Sequence, residues 1–312
     1  MPSSHVRAVL QALFVTFLWS TSWVLIKVGL EEIPALTFAG LRYGLAFLLL
    51  LPLLLRPQVR RSLAHLSRRD WTLLAALGIV MYTLTQGAQF LALERLPAQT
   101  TSLILSFSPV AVALLGMTLL GERPSRLQGA GVALFLVGAI TFLYPASFPP
   151  GQVAGLVIAV AGLVANAGTA VLGRYMNRST TLPAAAVTLV SMGAGSLVLL
   201  SVVVSVQGLP ELSPRGWAIV AWLAAVNTAF AFTLWNFTLR RLSAMESSIV
   251  NNTMLIQIAV LAWIFLGESL GARQIGGLLL ASLGTLVVQI AGALARRATV
   301  GPSESRRPRQ EA

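Results

Sequence analysis

The chain has 312 residues, of which 56% are hydrophobic and only 10% charged, where a soluble domain carries about a quarter charged residues. That balance excludes an ordinary soluble enzyme or binding module and leaves a membrane protein, provided the apolar residues fall in long runs. The formal net charge of +12 would suit nucleic acid if the basic residues were clustered for it, and the absence of cysteine excludes a disulfide framework and thiol chemistry.

Runs of about 20 apolar residues cross roughly 30 Å of hydrocarbon. Ten such runs succeed one another: 8–28, 35–55, 71–93, 98–120, 127–143, 153–173, 184–206, 217–239, 244–266 and 274–294. The first carries Trp19 and Trp23, outlasts the apolar core of a leader and shows no small-residue cleavage site, so it is read as a span. Residues 296–312, rich in Arg, Pro and Ser, read as a disordered cytoplasmic tail. Of the 22 Lys and Arg residues, 17 fall in the N-terminal segment, in alternate loops and in the tail. The opposite loops hold only Arg95, Arg215 and Arg273. Basic residues are retained on the cytoplasmic side, so both termini are expected inside a cytoplasmic (inner) membrane. The charge is a topology signal with some attraction for anionic membrane lipid, and nucleic acid is not an expected partner.

The stretch 71–138 recurs at an offset of 146 as 217–284, with 18 identities in 68 positions and no gap. Trp71 falls on Trp217, Arg95 on Arg241, Gly121-Glu122 on Gly267-Glu268, Gln128 on Gln274, and Gly131 and Gly138 on Gly277 and Gly284. Matches of these less common residues mark a duplication. The first half of the chain holds spans 1–5 and the second spans 6–10, and five is odd, so the second copy enters the membrane from the opposite side. The expected fold is an all-α membrane protein of ten transmembrane helices, arranged as two inverted five-helix repeats over 8–145 and 152–295. Inverted repeats of this kind exchange inward- and outward-open arrangements around a midplane site.

Further residues carry a resemblance. Phe17-Leu18-Trp19-Ser20 in span 1, Leu41-Arg42-Tyr43 in span 2, Pro109 within span 4 and the paired Gly-Glu after spans 4 and 9 resemble the drug/metabolite transporter superfamily, specifically its ten-helix EamA-type members. The resemblance covers about 8–294 and implies an inner-membrane carrier, most often an exporter of amino acids, other metabolites or toxic compounds.

Polar side chains inside spans usually face the bundle interior or a water-filled cavity. In span 1, Trp19, Trp23 and Lys27 recur at four-residue steps with Ser22 beside them; Trp19 is near mid-span, and Lys27 reads as snorkelling to the surface. Arg42 lies well inside span 2, either anchored by a surface glutamate (Glu31, Glu32, Glu94 or Glu268) or holding a substrate carboxylate. Tyr82, Gln86 and Gln89 share an α-helical stripe in span 3, replaced in the second copy by Thr228, Phe232 and Trp235. Asn166 of span 6, Asn227 of span 8, and Asn251, Asn252 and Gln257 of span 9 add mid-span amides, with one of the adjacent asparagines expected to face the cavity directly. The expected substrate-binding set is Trp19, Arg42, Tyr82, Gln86, Gln89, Asn166, Asn227, Trp235, Asn251 and Asn252. Glu246 reads as a surface ion pair with Arg240 or Arg241, Glu122 and Glu268 as caps of the next helix, and the glycines of spans 5 and 10 as close-approach surfaces within a monomer or a homodimer.

The expected function is secondary transport of small organic metabolites by alternating access, with the substrate between spans 1–4 and 6–9 and spans 5 and 10 as scaffold. Export of amino acids or related metabolites is the leading form; export of amphipathic drugs or toxic compounds is the alternative. An integral-membrane enzyme needs clustered acids, histidines or a metal constellation, whereas His5 and His65 lie outside the spans and no acid lies deep in one. A channel would need a ring of repeated charges or a filter-like loop. No catalytic, metal or cofactor site is expected, and without a deep carboxylate, facilitated diffusion or exchange is favoured over proton relay.

Overall fold

The computed structural model describes residues 2–112, 125–144, 149–179, 182–207, 210–239, 241–242 and 244–299. Every regular element among them is helical. The spans, in chain order, are span 1 His5–Gly29, span 2 Ala35–Leu55, span 3 Arg68–Arg95, span 4 Ala98–Val112, span 5 Arg126–Leu143, span 6 Pro150–Gly173, span 7 Ala184–Ser205, span 8 Pro214–Thr238, span 9 Glu246–Leu266 and span 10 Ala272–Leu294. All but span 4 are long and apolar enough, on their described residues, to cross a bilayer; the expected second half of span 4, 113–120, lies outside the described residues. Hydrocarbon offers no partner for backbone N–H and C=O groups, so helices must satisfy their own. The sides turned outward are apolar: Leu136, Val137 and Ile140 of span 5 and Trp263, Ile264 and Phe265 of span 9 are exposed.

Short polar side chains set the helix starts, and the repeat keeps them. Ser67 starts span 3 in a capping box with Asp70, and Ser213, 146 positions on, caps span 8 by accepting from the Gly216 amide at 3.1 Å. Gln128 accepts from the Ser125 amide at 2.8 Å at the start of span 5, and Gln274 accepts from the Gly271 amide at 3.1 Å at span 10. The recurrent glutamine is therefore a helix cap. Trp71 and Trp217 are 45% and 50% exposed, near the starts of spans that enter from opposite faces, where an indole settles at headgroup level.

Spans 3 and 8 also share a local irregularity. Each contains a π-helical stretch, Ile79–Thr85 and Ala225–Phe230, and the two begin at repeat-equivalent positions. The hydroxyls of Thr85 and Thr228 donate to carbonyls five residues back, Val80 at 2.9 Å and Leu223 at 2.8 Å. A π turn rotates the succeeding residues out of an α-helical stripe. Span 4 is interrupted too: the helix Ala98–Leu105 ends in a turn at Ser106 and Phe107 before resuming. Pro109 supplies no N–H to the Leu105 carbonyl and its ring crowds that oxygen. At the C-terminus the helix runs on to Thr299, so 296–299, expected in a disordered tail, are helical; 300–312 lie outside the described residues.

The two halves interlock. Span 1 packs along spans 8 and 9 of the second half, and its counterpart, span 6, along spans 3 and 4 of the first. Span 2 lies against spans 7 and 8, and span 7 against spans 2 and 3. Spans 5 and 10 pack chiefly on each other through reciprocal glycines. A Cβ on Gly138 would stand 2.6 Å from the Gly277 carbonyl oxygen, and one on Gly277 2.7 Å from that of Gly138. Gly131 and Gly284 face each other likewise, at 2.9 and 2.6 Å. These contacts are within one chain, so the glycine repeat is used up inside the monomer. Because the obstructing atoms are backbone, Gly138→Ala and Gly284→Ala should each lower stability by about 1–3 kcal/mol through overpacking. Thermal denaturation of the purified protein in detergent measures this, with Gly129→Ala, where a Cβ meets nothing within 4 Å, expected to leave the midpoint unchanged.

Candidate functional site

Where the halves interlock, a cavity of about 500 Å³ lies at mid-depth. Of the expected substrate-binding residues, Trp19, Arg42, Gln86, Gln89, Asn166, Asn251 and Asn252 are on its wall. Tyr82, Asn227 and Trp235 are not among its lining residues. Both adjacent asparagines reach the wall, Asn251 exposed and Asn252 half-buried.

The three others are displaced for identifiable reasons. Tyr82 lies inside the π stretch of span 3, which turns it away from Gln86 and Gln89. It is buried, with its ring 5.2 Å from that of Tyr43, beside the crossing of span 7, where a Cβ on Gly195 would come within 2.8 Å of the Tyr82 Cβ. Asn227 lies inside the π stretch of span 8, fully buried, and donates to the Leu18 carbonyl and to Thr21 Oγ1 at 3.2 Å, tying span 8 to span 1. Trp235 packs behind Trp19, ring centres 5.2 Å apart. Gln257 is likewise a helix-to-helix tie, accepting from Ser20 at 2.9 Å and donating to Thr253 at 3.0 Å.

On the wall itself, the amides are partly engaged. Gln86 accepts from the Tyr43 hydroxyl at 2.7 Å, Asn166 donates to Ser108 Oγ at 2.8 Å, and Asn252 donates to the Ser282 carbonyl at 2.8 Å. Trp19, Trp23, Phe232, Met81 and Met254 supply an apolar and aromatic surface. Arg42 is 4% exposed and lines the cavity, its Nε donating to Thr228 Oγ1 at 3.0 Å and its guanidinium carbon 5.1 Å from the centre of the Tyr43 ring. A central arginine costs a membrane helix about 2.5–3.5 kcal/mol on insertion scales, so its retention needs a reason. None of the surface glutamates considered for it forms an ion pair with it among the described residues.

Sequence reasoning misses Thr285 and Gln289 of span 10 and Ser102, Ser106 and Ser108 of span 4, all on the wall. Thr285 and Gln289 are four residues apart, a legible helical pair, but the glycine repeat marks span 10 as scaffold alone. Span 7, expected among the enclosing helices, contributes no lining residue. Serines are weak signals because they bond their own helix, as Ser106 and Ser108 do to Leu103 and Leu105.

The face of the bundle opposite the termini is closed over this cavity. Ile26, Phe90, Leu93, Ala98 and Ala262, about a turn beyond the wall, are buried together in one apolar cluster. Above them, the Glu268 carboxylate accepts from the amides of Ala98 at 2.5 Å and Gln99 at 3.0 Å, at the positive end of span 4. The expectation that Glu268 caps the next helix is thus corrected: it reaches across to the other half. Lys27 donates to the carbonyls of Leu93 at 2.5 Å and Leu96 at 2.8 Å, at the negative end of span 3, so it is a cross-helix cap more than a snorkel. Glu32 accepts from the amide of Ser213 at 2.6 Å and its hydroxyl at 2.8 Å. The Ser213 hydroxyl is the main cause that holds the Glu32 carboxyl below the usual carboxylate range. On the terminus face, Glu246 meets His5 at 3.0 Å; Arg240, one of its two expected partners, and Glu122 lie outside the described residues.

The EamA-like transporter family matches the chain twice, over residues 6–144 and 152–290. The chain is 26% identical over 297 residues to a protein of Salmonella typhimurium named "Probable amino-acid metabolite efflux pump", covering 92% of this chain and 95% of that one. It is 25% identical over 264 residues to the "S-adenosylmethionine/S-adenosylhomocysteine transporter" of Chlamydia trachomatis serovar L2, covering 81% and 80%. One crystal structure superposes at a TM-score of 0.67 over 93% of this chain and 99% of that one; at 20% identity this bears on the fold alone. Matched twice by a single unit, whose two copies enclose one cavity between them, this multi-pass membrane protein belongs to the EamA-like transporter family of the drug/metabolite transporter superfamily.

Proposed function

We propose that the protein is a secondary transporter that moves small organic metabolites across the cytoplasmic membrane by alternating access. Both termini are cytoplasmic, and amino acids or related metabolites are exported. The observation that carries this reading is a polar cavity on the boundary between inverted halves, closed over one face by charged helix caps, of which Glu268 joins one half to the other and Lys27 ties span 1 to span 3. The repeat aligns the residues of the Glu268 and Lys27 contacts with residues that are expected at the opposite face. In sequence, Glu122 aligns with Glu268, and residues 244 and 245 align with Ala98 and Gln99. Arg174 aligns with Lys27 at an offset of 147, and residues 239 and 242 align with Leu93 and Leu96 at 146. Exchanging one set for the other would move the opening from one face to the other without unfolding any helix.

The placement of Lys and Arg supports the orientation, and the name of the Salmonella relative supports amino-acid metabolites as the cargo class. The described lining residues include no carboxylate or imidazole, which favours exchange or facilitated diffusion over a proton relay at the site. Trp19, Gln86, Gln89, Asn166, Asn251, Asn252 and Arg42 are the residues we assign to substrate.

Counterflow of labelled amino acids, nucleosides and amphipathic drugs into proteoliposomes tests the reading; flux is expected for at least one class, and none for any class would sink it. Trp19→Ala and Gln89→Ala should each lower that flux several-fold at normal expression. The closing contacts are tested separately. A hydrogen bond to a charged group contributes about 1.5–3 kcal/mol, so Glu268→Ala should shift the population toward opening on the face opposite the termini by tenfold or more. The chain has no native cysteine, so a single Gln89→Cys reporter can be labelled with a membrane-impermeant thiol reagent from that face. Labelling should accelerate in the Glu268→Ala background, and an unchanged rate would remove Glu268 from the gate.

A further inference from the structure

We propose that the cavity is anion-selective and that Arg42 makes it so: the cargo carries a carboxylate, taken by the two terminal nitrogens of Arg42, with its apolar body against the aromatic wall. This rests on the transport reading above and narrows it, because it sets amphipathic cations aside.

The guanidinium is held in one orientation. Arg42 is 4% exposed and lies on the wall, and its Nε–H donates to Thr228 Oγ1 at 3.0 Å. The Thr228 hydroxyl proton is itself committed to the Leu223 carbonyl at 2.8 Å, so the threonine oxygen acts toward Arg42 as an acceptor. With Nε occupied, the edge that remains is the one carrying both terminal nitrogens. That edge matches a carboxylate with two parallel hydrogen bonds.

The charge is also unanswered by any carboxylate among the described residues. The ion pairs among the described residues are His5–Glu246 and Arg95–Glu94, both away from the cavity. Glu32 is engaged by Ser213, Glu268 caps span 4, and Glu31 lines a depression on the surface. The Tyr43 ring, 5.1 Å away, favours a cation beside it without neutralising it. Arg42 is the one formally charged side chain among the described lining residues. An entering anion therefore meets its counter-charge in a weakly screened site, whereas a cation meets repulsion and no carboxylate. Asn166 and Asn252 each commit an amide N–H to a serine, leaving carbonyl oxygens that can accept from an ammonium or hydroxyl of the cargo.

The test uses the full chain in proteoliposomes and matched solutes: a carboxylate, its primary amide and the corresponding amine, each built on isobutyl, phenethyl and indolylethyl bodies. The wild type should carry carboxylates at least tenfold faster than amides or amines of the same body. Arg42→Gln should abolish that preference, and Arg42→Lys, which keeps the charge but loses the fork, should retain a reduced one. Amides or amines carried as fast as carboxylates, or a carboxylate preference surviving in Arg42→Gln, overturns the inference and leaves the transport reading standing. If Arg42→Gln does not fold, the wild-type series and Arg42→Lys decide. Thermal shift with the same solutes separates the two ideas: carboxylate-specific stabilisation without any flux overturns the transport reading alone. The absence of both flux and carboxylate-specific stabilisation overturns this inference together with the transport reading.

Discussion

The structure depends on how helix ends are satisfied where water is scarce. Each helix leaves four amides and four carbonyls without intrahelical partners, and in this chain several are met by charged side chains from elsewhere. The carboxylate of Glu268, at the end of span 9, meets the start of span 4, and the ammonium of Lys27, at the end of span 1, meets the end of span 3. Glu32 does the same for the start of span 8. Glu268 and Glu32 thereby join one half to the other. Charges placed this way complement the helix dipole and can be exchanged for equivalent contacts, whereas an apolar core packed at solid density cannot be shifted so readily. A bundle that must seal one face and then the other is served by joints of this kind.

Rigidity is concentrated elsewhere. Spans 5 and 10 meet through glycines whose missing Cβ atoms let the backbones touch, which leaves little freedom for sliding. The π stretches of spans 3 and 8 lie at the same place in both copies and redirect Tyr82 and Asn227 into helix contacts while leaving Gln86, Gln89 and Phe232 on the wall. Thr228, inside one of these stretches, is also the acceptor that orients Arg42. Local helix irregularity and the one buried cation of the cavity wall are thus parts of the same arrangement.

Much of this is legible in the residues, and the parts that are not have a common cause. The apolar runs, the duplication and the odd number of spans per copy come from composition and spacing, because lipid imposes length and the repeat imposes parity. Trp19, Gln86, Gln89, Asn166, Asn251 and Asn252 are recognisable as polar or aromatic groups too deep to face lipid. Tyr82 is misplaced by its stripe because the stripe assumes an α-helical period, and the π stretch breaks that period. Thr285 and Gln289 escape notice because glycines dominate the pattern of their span. Glu268 points to the wrong helix in sequence because its partner is 170 residues away.

The sequence alone therefore determined what each segment must do as a solute of the membrane: cross it, in which order, and with which face polar. It also contained the inversion, since a repeat with an odd number of crossings cannot keep its direction. Tertiary structure decided which polar groups meet one another and which meet the cavity. Arg42 could equally have found a glutamate or none; that depended on where span 8 crosses span 2 and on the π turn that presents Thr228. Period and composition act along one helix, whereas partner choice is set by the approach of two.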